Sequence, residues 1–311
     1  MAILSGTGDS YTLSNNDKDT GVGRHNREDL SDFITNISPT ETPVLSGMGT
    51  VSATAVTHEW LHHSLASVSA SNVVVEGNEA TFSAPSLIDR LTNICQINEK
   101  TVAVTGTQDR VKKAGMGREL AYRVILHTKE IKRDLETAIL QNTTATTGST
   151  TVARQFKGIA GWITTNTAAT ITTAPAADDI NSMLQTNWTA GGNPDVLVMN
   201  GAMKRKVSAI SGLTSSTYTL DWNMDAASKK FSSSIGIWDG DFGMQRTVAD
   251  RFDTTQTVKA LEMDLWKMAS LRDLSVTPLA VTGDNTKRLL NCEMTLECRA
   301  EEGNSIRTIT G

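Results

Sequence analysis

The sequence predicts an α+β fold, and three observations carry that prediction. One long amphipathic run, Gly117 to Asn142, has apolar residues at helical spacing and no proline. Most of what lies before and after it reads as β-branched strand or polar loop. A compact α-β-α unit follows between Asp178 and Ile210. The 311 residues are enough for one large or two moderate domains with real cores.

Residues 1 to about 35 are polar and glycine-bearing, ending in Arg24-His25-Asn26-Arg27-Glu28-Asp29-Leu30. They predict an extended arm with at most one short helix near Asp29 to Ile34, because such a segment buries little surface by itself. Ile37-Ser38-Pro39-Thr40-Glu41-Thr42-Pro43-Val44-Leu45 continues as an extended, proline-punctuated stretch. Val51 to Leu61 is rich in β-branched residues and predicts one strand; Leu87 to about Val104 predicts a second. Between them Ser64 to Ser86 is small and polar around Val73-Val74-Val75 and Glu76-Gly77-Asn78. Together they predict a long two-stranded excursion with a flexible tip. Such a ribbon is marginal alone and needs a neighbour to lie on.

In the long run, Leu120, Val124, Ile131, Leu135 and Ala138 form the stripe and Ile125 and Ile139 widen it. The charged residues from Arg118 to Glu136 are expected on the open face. About 25 residues at ~1.5 Å each span roughly 38 Å, against an average helix of ~11–12 residues. A lone helix of that length suggests a spine on which sheets are hung; the central helix of an ordinary α+β domain is the plainer alternative.

Phe156 to Trp162 predicts a loop with two apolar anchors. Asp178-Asp179-Ile180 opens a helix with acids in its first turn, and Gly191-Gly192-Asn193-Pro194 ends it. Val196 to Met199 predicts a buried strand and Ala202 to Ile210 another helix. Ile235 to Phe252 and Ala260 to Leu274 return to strands, with a hairpin turn at Asp239 to Gly243. Leu290, Cys292, Met294, Leu296 and Cys298 alternate with Asn291, Glu293, Thr295, Glu297 and Arg299, which predicts a strand with one apolar face.

Composition excludes several classes. The net charge of −5 argues against nucleic-acid binding through a basic surface. Three cysteines, Cys95, Cys292 and Cys298, are too few and scattered for a disulfide framework, and a reducing compartment is expected. No apolar run approaches the ~20 residues that cross a membrane, and Met1 to Thr20 has no secretory pattern.

His58-Glu59-Trp60-Leu61-His62 matches the zinc-protease pattern. That chemistry needs a helix, so that both histidines reach one metal. Here the pattern sits on a predicted strand, where His58 and His62 would lie ~13 Å apart. The longer version of the pattern fails at Leu65 and Val68. Glu76 and Glu79 fall in a glycine-bearing turn. Cys292 and Cys298 read as small core residues. Asp241-Phe242-Gly243 has no accompanying kinase loop. No catalytic, cofactor-binding or metal-ligating residue is expected.

The order of elements is the informative feature. Ser38-Pro39-Thr40-Glu41-Thr42-Pro43, His58-Glu59-Trp60, Ile94-Cys95-Gln96-Ile97 and Val104-Thr105-Gly106-Thr107-Gln108 precede the long helix. Gly240-Asp241-Phe242-Gly243, Asp250-Arg251-Phe252, Pro278-Leu279-Ala280, Thr282-Gly283-Asp284 and Glu293-Met294-Thr295-Leu296-Glu297-Cys298 follow it. In this collinear order the chain resembles the major capsid proteins of tailed viruses with the Hong Kong 97-type fold, in the subfamily typified by phage SU-ten. The resemblance implies an N-terminal arm (1–50), an extended β-hairpin loop (51–105), a peripheral domain with the spine helix (106–174), an α/β axial domain (175–275) and a return to the peripheral domain (276–311). It implies self-assembly into hexamers and pentamers of an icosahedral head enclosing double-stranded DNA without sequence-specific binding. Scaffold, portal and decoration proteins are implied partners, with assembly in the host cytoplasm and residence in the virion. Candidate inter-subunit contacts are Arg24, Arg27, His58, Trp60, Glu76, Arg90, Arg118 and Arg123. Some relatives fuse subunits through a lysine on the extended loop, and here Ser64 to Glu99 contains none. An encapsulin-like nanocompartment shell shares the fold and stands as the alternative, ahead of a secreted β-rich binding module and of the protease.

Overall fold

The computed structural model describes residues 32–82, 84–210 and 236–310. The short helix expected near Asp29 is absent from Asp32 to Ile34; residues 29–31 lie outside the described residues. The extended stretch before Leu45 instead ends in a helix, α1 (Pro43–Gly47). Pro43 suits the first helical position. The free amides of Val44 and Leu45 each donate, at 2.8 Å, to the carboxyl of Glu136 on the long helix. A side chain 91 residues away in sequence thus caps α1, where Thr42 does not.

The strand expected over Val51–Leu61 is two strands, β1 (Gly49–Ser52) and β2 (Thr57–His62). The one expected over Leu87–Val104 likewise divides at Cys95 into β3 (Asp89–Ile94) and β4 (Gln96–Thr105). The reason is a change of partner. β2 and β3 pair only with each other, forming the ribbon, while β1 and β4 join β10 (Trp266–Pro278) and β11 (Asn285–Cys298) in a four-stranded sheet of order β1-β10-β11-β4. The two breaks face each other, with Cys95 N bonded to Val56 O at 2.8 Å and Ala53 N to Ser270 O at 2.8 Å.

Helix α2 (Gly106–Arg110) leads to the spine, α3 (Glu119–Gln141), within two residues of its predicted bounds. Its buried stripe holds Ile131, Leu135, Ala138, Ile139 and Leu140, with Leu120 and Val124 packed at the margin. Two expectations fail here. Ile125 is 57% exposed, and Glu119 and Glu136 are buried rather than open. Phe156 to Trp162 is partly helical as α4 (Ile159–Trp162), with Phe156, Ile159 and Trp162 all in the same core. Gly158 lets this segment touch the spine, since a Cβ there would lie 2.5 Å from Ile139 O.

The second sheet has the order β5-β12-β9-β6-β8-β7. It contains β5 (Thr167–Ile171), β6 (Val196–Met199), β7 (Ile237–Gly240), β8 (Gly243–Ala249), β9 (Thr257–Leu261) and β12 (Ser305–Ile309). Helices α5 (Ala177–Thr189) and α6 (Gly201–Ser208) accompany it. Ile180, Met183 and Leu184 of α5 pack with Met203 and Val207 of α6. β6 is buried along its length because Val196 and Val198 enter the spine core while Leu197 and Met199 enter the α5–α6 core. The hairpin turn expected at Asp239–Gly243 joins β7 to β8.

β10 (Trp266–Pro278) and β11 (Asn285–Cys298) form the body of the first sheet. Leu290, Cys292, Leu296 and Cys298 face the spine core as expected. The opposite face is not open: Glu293, Thr295 and Glu297 are buried too. Arg154 and Arg272 bind Glu293 at 2.7 and 2.8 Å, and His58 and Arg299 bind Glu297 at 3.0 and 2.9 Å. Paired carboxylates can be covered where bare ones could not.

Candidate inter-subunit surface

The ribbon has a locked base and an unpartnered tip. At the base, Trp60 Nε1 donates to Cys298 O at 2.7 Å, and its ring lies 5.4 Å from that of Trp162. His58 bonds Glu297, whose carboxyl burial would push up; the His58 and Arg299 hydrogen bonds outweigh this and hold it below the usual range. Buried Asn93 donates to Leu296 O (2.7 Å) and Lys157 O (2.9 Å) and accepts from Lys157 N. Sequence reasoning missed Asn93, and nothing in its strand neighbours singles it out.

Beyond this base the chain turns apolar and bare. Leu61, Leu65, Val68, Val73, Val74, Val75, Phe82, Leu87 and Ile88 are all exposed, the three valines at 77–81%. Phe33 and Ile37 on the arm are exposed as well. Each is bare in its own subunit, and burying such a side chain is worth about 1.5–3 kcal/mol.

The predicted contact residues scatter across this frame. Arg24 and Arg27 lie outside the described residues. His58 and Trp60 spend their polar atoms inside the chain. Glu76 sits exposed beside Gly77, whose φ of +80° makes the tip turn. Arg90 reaches Glu59 across the ribbon at 3.3 Å. Arg118 and Arg123 flank the start of the spine. Arg118 binds Asp109 at 2.5 Å and Arg123 binds Glu119 at 2.7 Å, with Lys113 on Glu119 from the other side at 3.0 Å. The Arg118 hydrogen bond holds Asp109 below its ordinary range, and those from Arg123 and then Lys113 do the same for Glu119.

His58 and His62 lie on a strand, as predicted, and face different carboxylates, Glu297 at 3.0 Å and Glu302 at 3.8 Å. Among the described residues no group of three or more His, Cys, Asp or Glu is arranged to hold a metal ion. No described helix is long and apolar enough to cross a membrane. Burial pushes the thiols of Cys95 and Cys292 up to about 11 and that of Cys298 further still, which makes all three poor nucleophiles.

A second buried polar cluster was also not foreseen. Glu136, Asp250, Asp253 and Lys259 are all buried where the spine, α1 and the second sheet meet. Lys259 Nζ binds Asp253 Oδ2 at 2.5 Å and the hydroxyls of Thr255 and Thr257. Its one visible signal is that Glu136 falls beside Leu135 inside the apolar stripe.

A family model described as SU10 major capsid protein matches residues 6–309. The major capsid protein of Escherichia phage Phieco32 is 27% identical over 322 residues, covering 87% of this chain and 90% of that one. Among solved structures, the cyanophage A-1(L) capsid asymmetric unit superposes with a TM-score of 0.69 at 11% identity, over 92% of this chain and 97% of the other. A chain of Microbacterium phage Oxtober96 gives 0.66 at 13% identity, over 91% and 96%. At such identities the structures speak for the fold.

Proposed function

The chain belongs to the SU10 major capsid protein family, and on that premise we propose how its parts serve the shell. It is a phage major capsid protein whose copies build an icosahedral head, with the Hong Kong 97-like fold of tailed-phage capsids. Neither the nanocompartment nor the protease alternative finds support beside these relatives.

In our reading the ribbon is the extended loop of that fold. The four-stranded sheet and α3 form the peripheral domain, and α5, α6 and the second sheet form the axial domain. The observation that carries this reading is the division of labour along the ribbon. Trp60, His58 and Asn93 fix its base to its own subunit, while the apolar side chains from Leu61 to Ile88 are presented outward. A fixed lever with a sticky tip suits contact between copies closed by symmetry. Copies group as hexamers and pentamers, with Glu76, Arg90, Arg118 and Arg123 at their contacts. The head encloses double-stranded DNA without reading its sequence, and the net charge of −5 fits a container filled from outside. Scaffold, portal and decoration proteins complete the particle in the host cytoplasm.

Electron microscopy of the expressed chain tests the reading; closed shells are expected. Hydrogen exchange adds the local test. Residues 64–86 should exchange fast in dissociated subunits and slowly in shells. Equal exchange in both would remove the ribbon from the contacts.

A further inference from the structure

Lys259 and Asp253 face each other in a site closed to water. Both side chains are 0% exposed, and Nζ lies 2.5 Å from Oδ2. Lys259 belongs to β9, whose flanking residues Val258 and Ala260 enter the α5–α6 core. Its own side chain therefore takes the opposite face, where its ladder partners Val198 and Ile306 pack in the spine core. Burial disfavours the ammonium and pulls Lys259 below the ordinary lysine range, against the charges of Asp253 and Asp250. Two ions taken out of water regain little by remaining ions. Moving one proton from Nζ to Oδ2 makes a neutral amine and a carboxylic acid, which a dry site tolerates better.

The carboxyl is also held for attack. Its Oδ1 accepts from Thr255 N at 2.9 Å and from Thr255 Oγ1 at 2.5 Å. Negative charge that develops on Oδ1 thus meets two donors already in place. Oδ2 is turned to the amine, whose other contacts are the hydroxyls of Thr255 at 3.1 Å and Thr257 at 2.8 Å. A desolvated lysine amine is a nucleophile, where a surface ammonium is not.

We propose that Lys259 and Asp253 condense into an isopeptide bond within the subunit. The Nζ lone pair forms a bond to Cγ of Asp253. Two protons leave Nζ for Oδ2, with the hydroxyls of Thr255 and Thr257 in contact to relay them. Oδ2 departs as water and takes the C–O electron pair. The step balances by itself: an ammonium and a carboxylate give one neutral amide and one water, with nothing oxidised or reduced. Fixed contact between the two groups supplies the effective concentration that free amines and acids lack. The bond closes residues 253–259 into a ring at the root of β9. There the loop after β8 meets the spine, with Gln141 Nε2 donating to Phe252 O at 2.7 Å. It lies inside one chain, so subunits remain separable in detergent.

A tryptic map of the purified, then denatured, full chain tests this on the wild type. Cleavage after Arg251, Lys259 and Lys267 would give peptides 252–259 and 260–267. The linked chain should instead give one peptide, 252–267, lighter by one water, about 18 Da, because an acylated lysine is not a trypsin site. Its fragmentation should show no backbone breaks between Asp253 and Lys259. Lys259→Arg keeps a cation for Asp253 but has no amine that attacks, since the guanidinium stays protonated; its peptide 252–259 should carry the full mass. Wild-type peptides 252–259 and 260–267 at full mass overturn the proposal. So does a water deficit with free cleavage after Lys259, which marks a cyclic imide at an aspartate, and so does the same deficit in the arginine variant. Should that variant fail to fold, the wild-type map decides alone.

Discussion

Glu136→Gln is the most informative single change in the subunit, because it separates shape from charge at a buried junction. Glu136 is fully buried and accepts the Val44 and Leu45 amides. Asp250 lies against it: its Oδ1 accepts from Phe252 N, and its Oδ2 is buried with no other partner among the described residues. Burial first, and then the Asp250 hydrogen bond and charge, raise the Glu136 carboxyl from 4.5 to about 8 against the opposing pull of the two amides. The Glu136 carboxyl therefore keeps its proton at neutral pH. The other charge nearby is the Lys259 ammonium, engaged with Asp253.

Between pH 4.5 and about 8 the folded subunit keeps a proton that the unfolded chain has released. The contribution is thus complete below 4.5 and is lost as the pH rises through about 8. One proton over that window, at ~1.4 kcal/mol per unit, sets a ceiling of roughly 5 kcal/mol. Glutamine keeps the acceptor for the amides and supplies a permanent donor to Asp250. Urea unfolding of dissociated subunits between pH 5 and 8.5 should show the wild type weakening as pH rises and the variant lacking that slope. The two should agree within about 1 kcal/mol at pH 5, with the variant more stable by several kcal/mol at pH 8.5. Parallel curves would refute the proton retained on Glu136, and so would a variant already unfolded at pH 5.

Three further outcomes follow from the geometry. Leu184 is fully buried in the α5–α6 core, so Leu184→Asp should leave an unpaired charge there and yield no soluble subunit; normal heads from that variant would show the face is misjudged. Trp60→Ala removes the bond to Cys298 O and the contact with Trp162, and should cost about 3 kcal/mol of unfolding free energy and speed exchange across β2 and β3; unchanged ribbon exchange would refute its anchoring role. Heads boiled in detergent and reductant should release a single band near 33.4 kDa, because the loop from Ser64 to Glu99 has no lysine and Lys100 is tied to Asp134; a ladder of multimers would contradict this.

Periodicity made the large elements readable in advance. The spine helix, β6, α5, α6 and the alternating β11 are each specified by local apolar spacing, since a 3.6- or 2-residue period fixes which side chains share a face. The strand setting of His58 and His62 was readable for the same reason. The capsid family was legible in the collinear order of short motifs, none of which is informative alone. Periodicity is silent on what covers the second face. Glu293 and Glu297 alternate as solvent residues would, yet Arg154 and His58, brought by other segments, allow them to be buried. Glu136 reads as one more helix charge until α1 arrives with two unsatisfied amides. The breaks at Ala53–Val56 and Cys95 carry no turn residues, because they arise from an exchange of strand partners between sheet and ribbon. Local spacing decided the elements; the pairing of polar groups across distant segments, and the free edge of β4, exist only once the chain has folded.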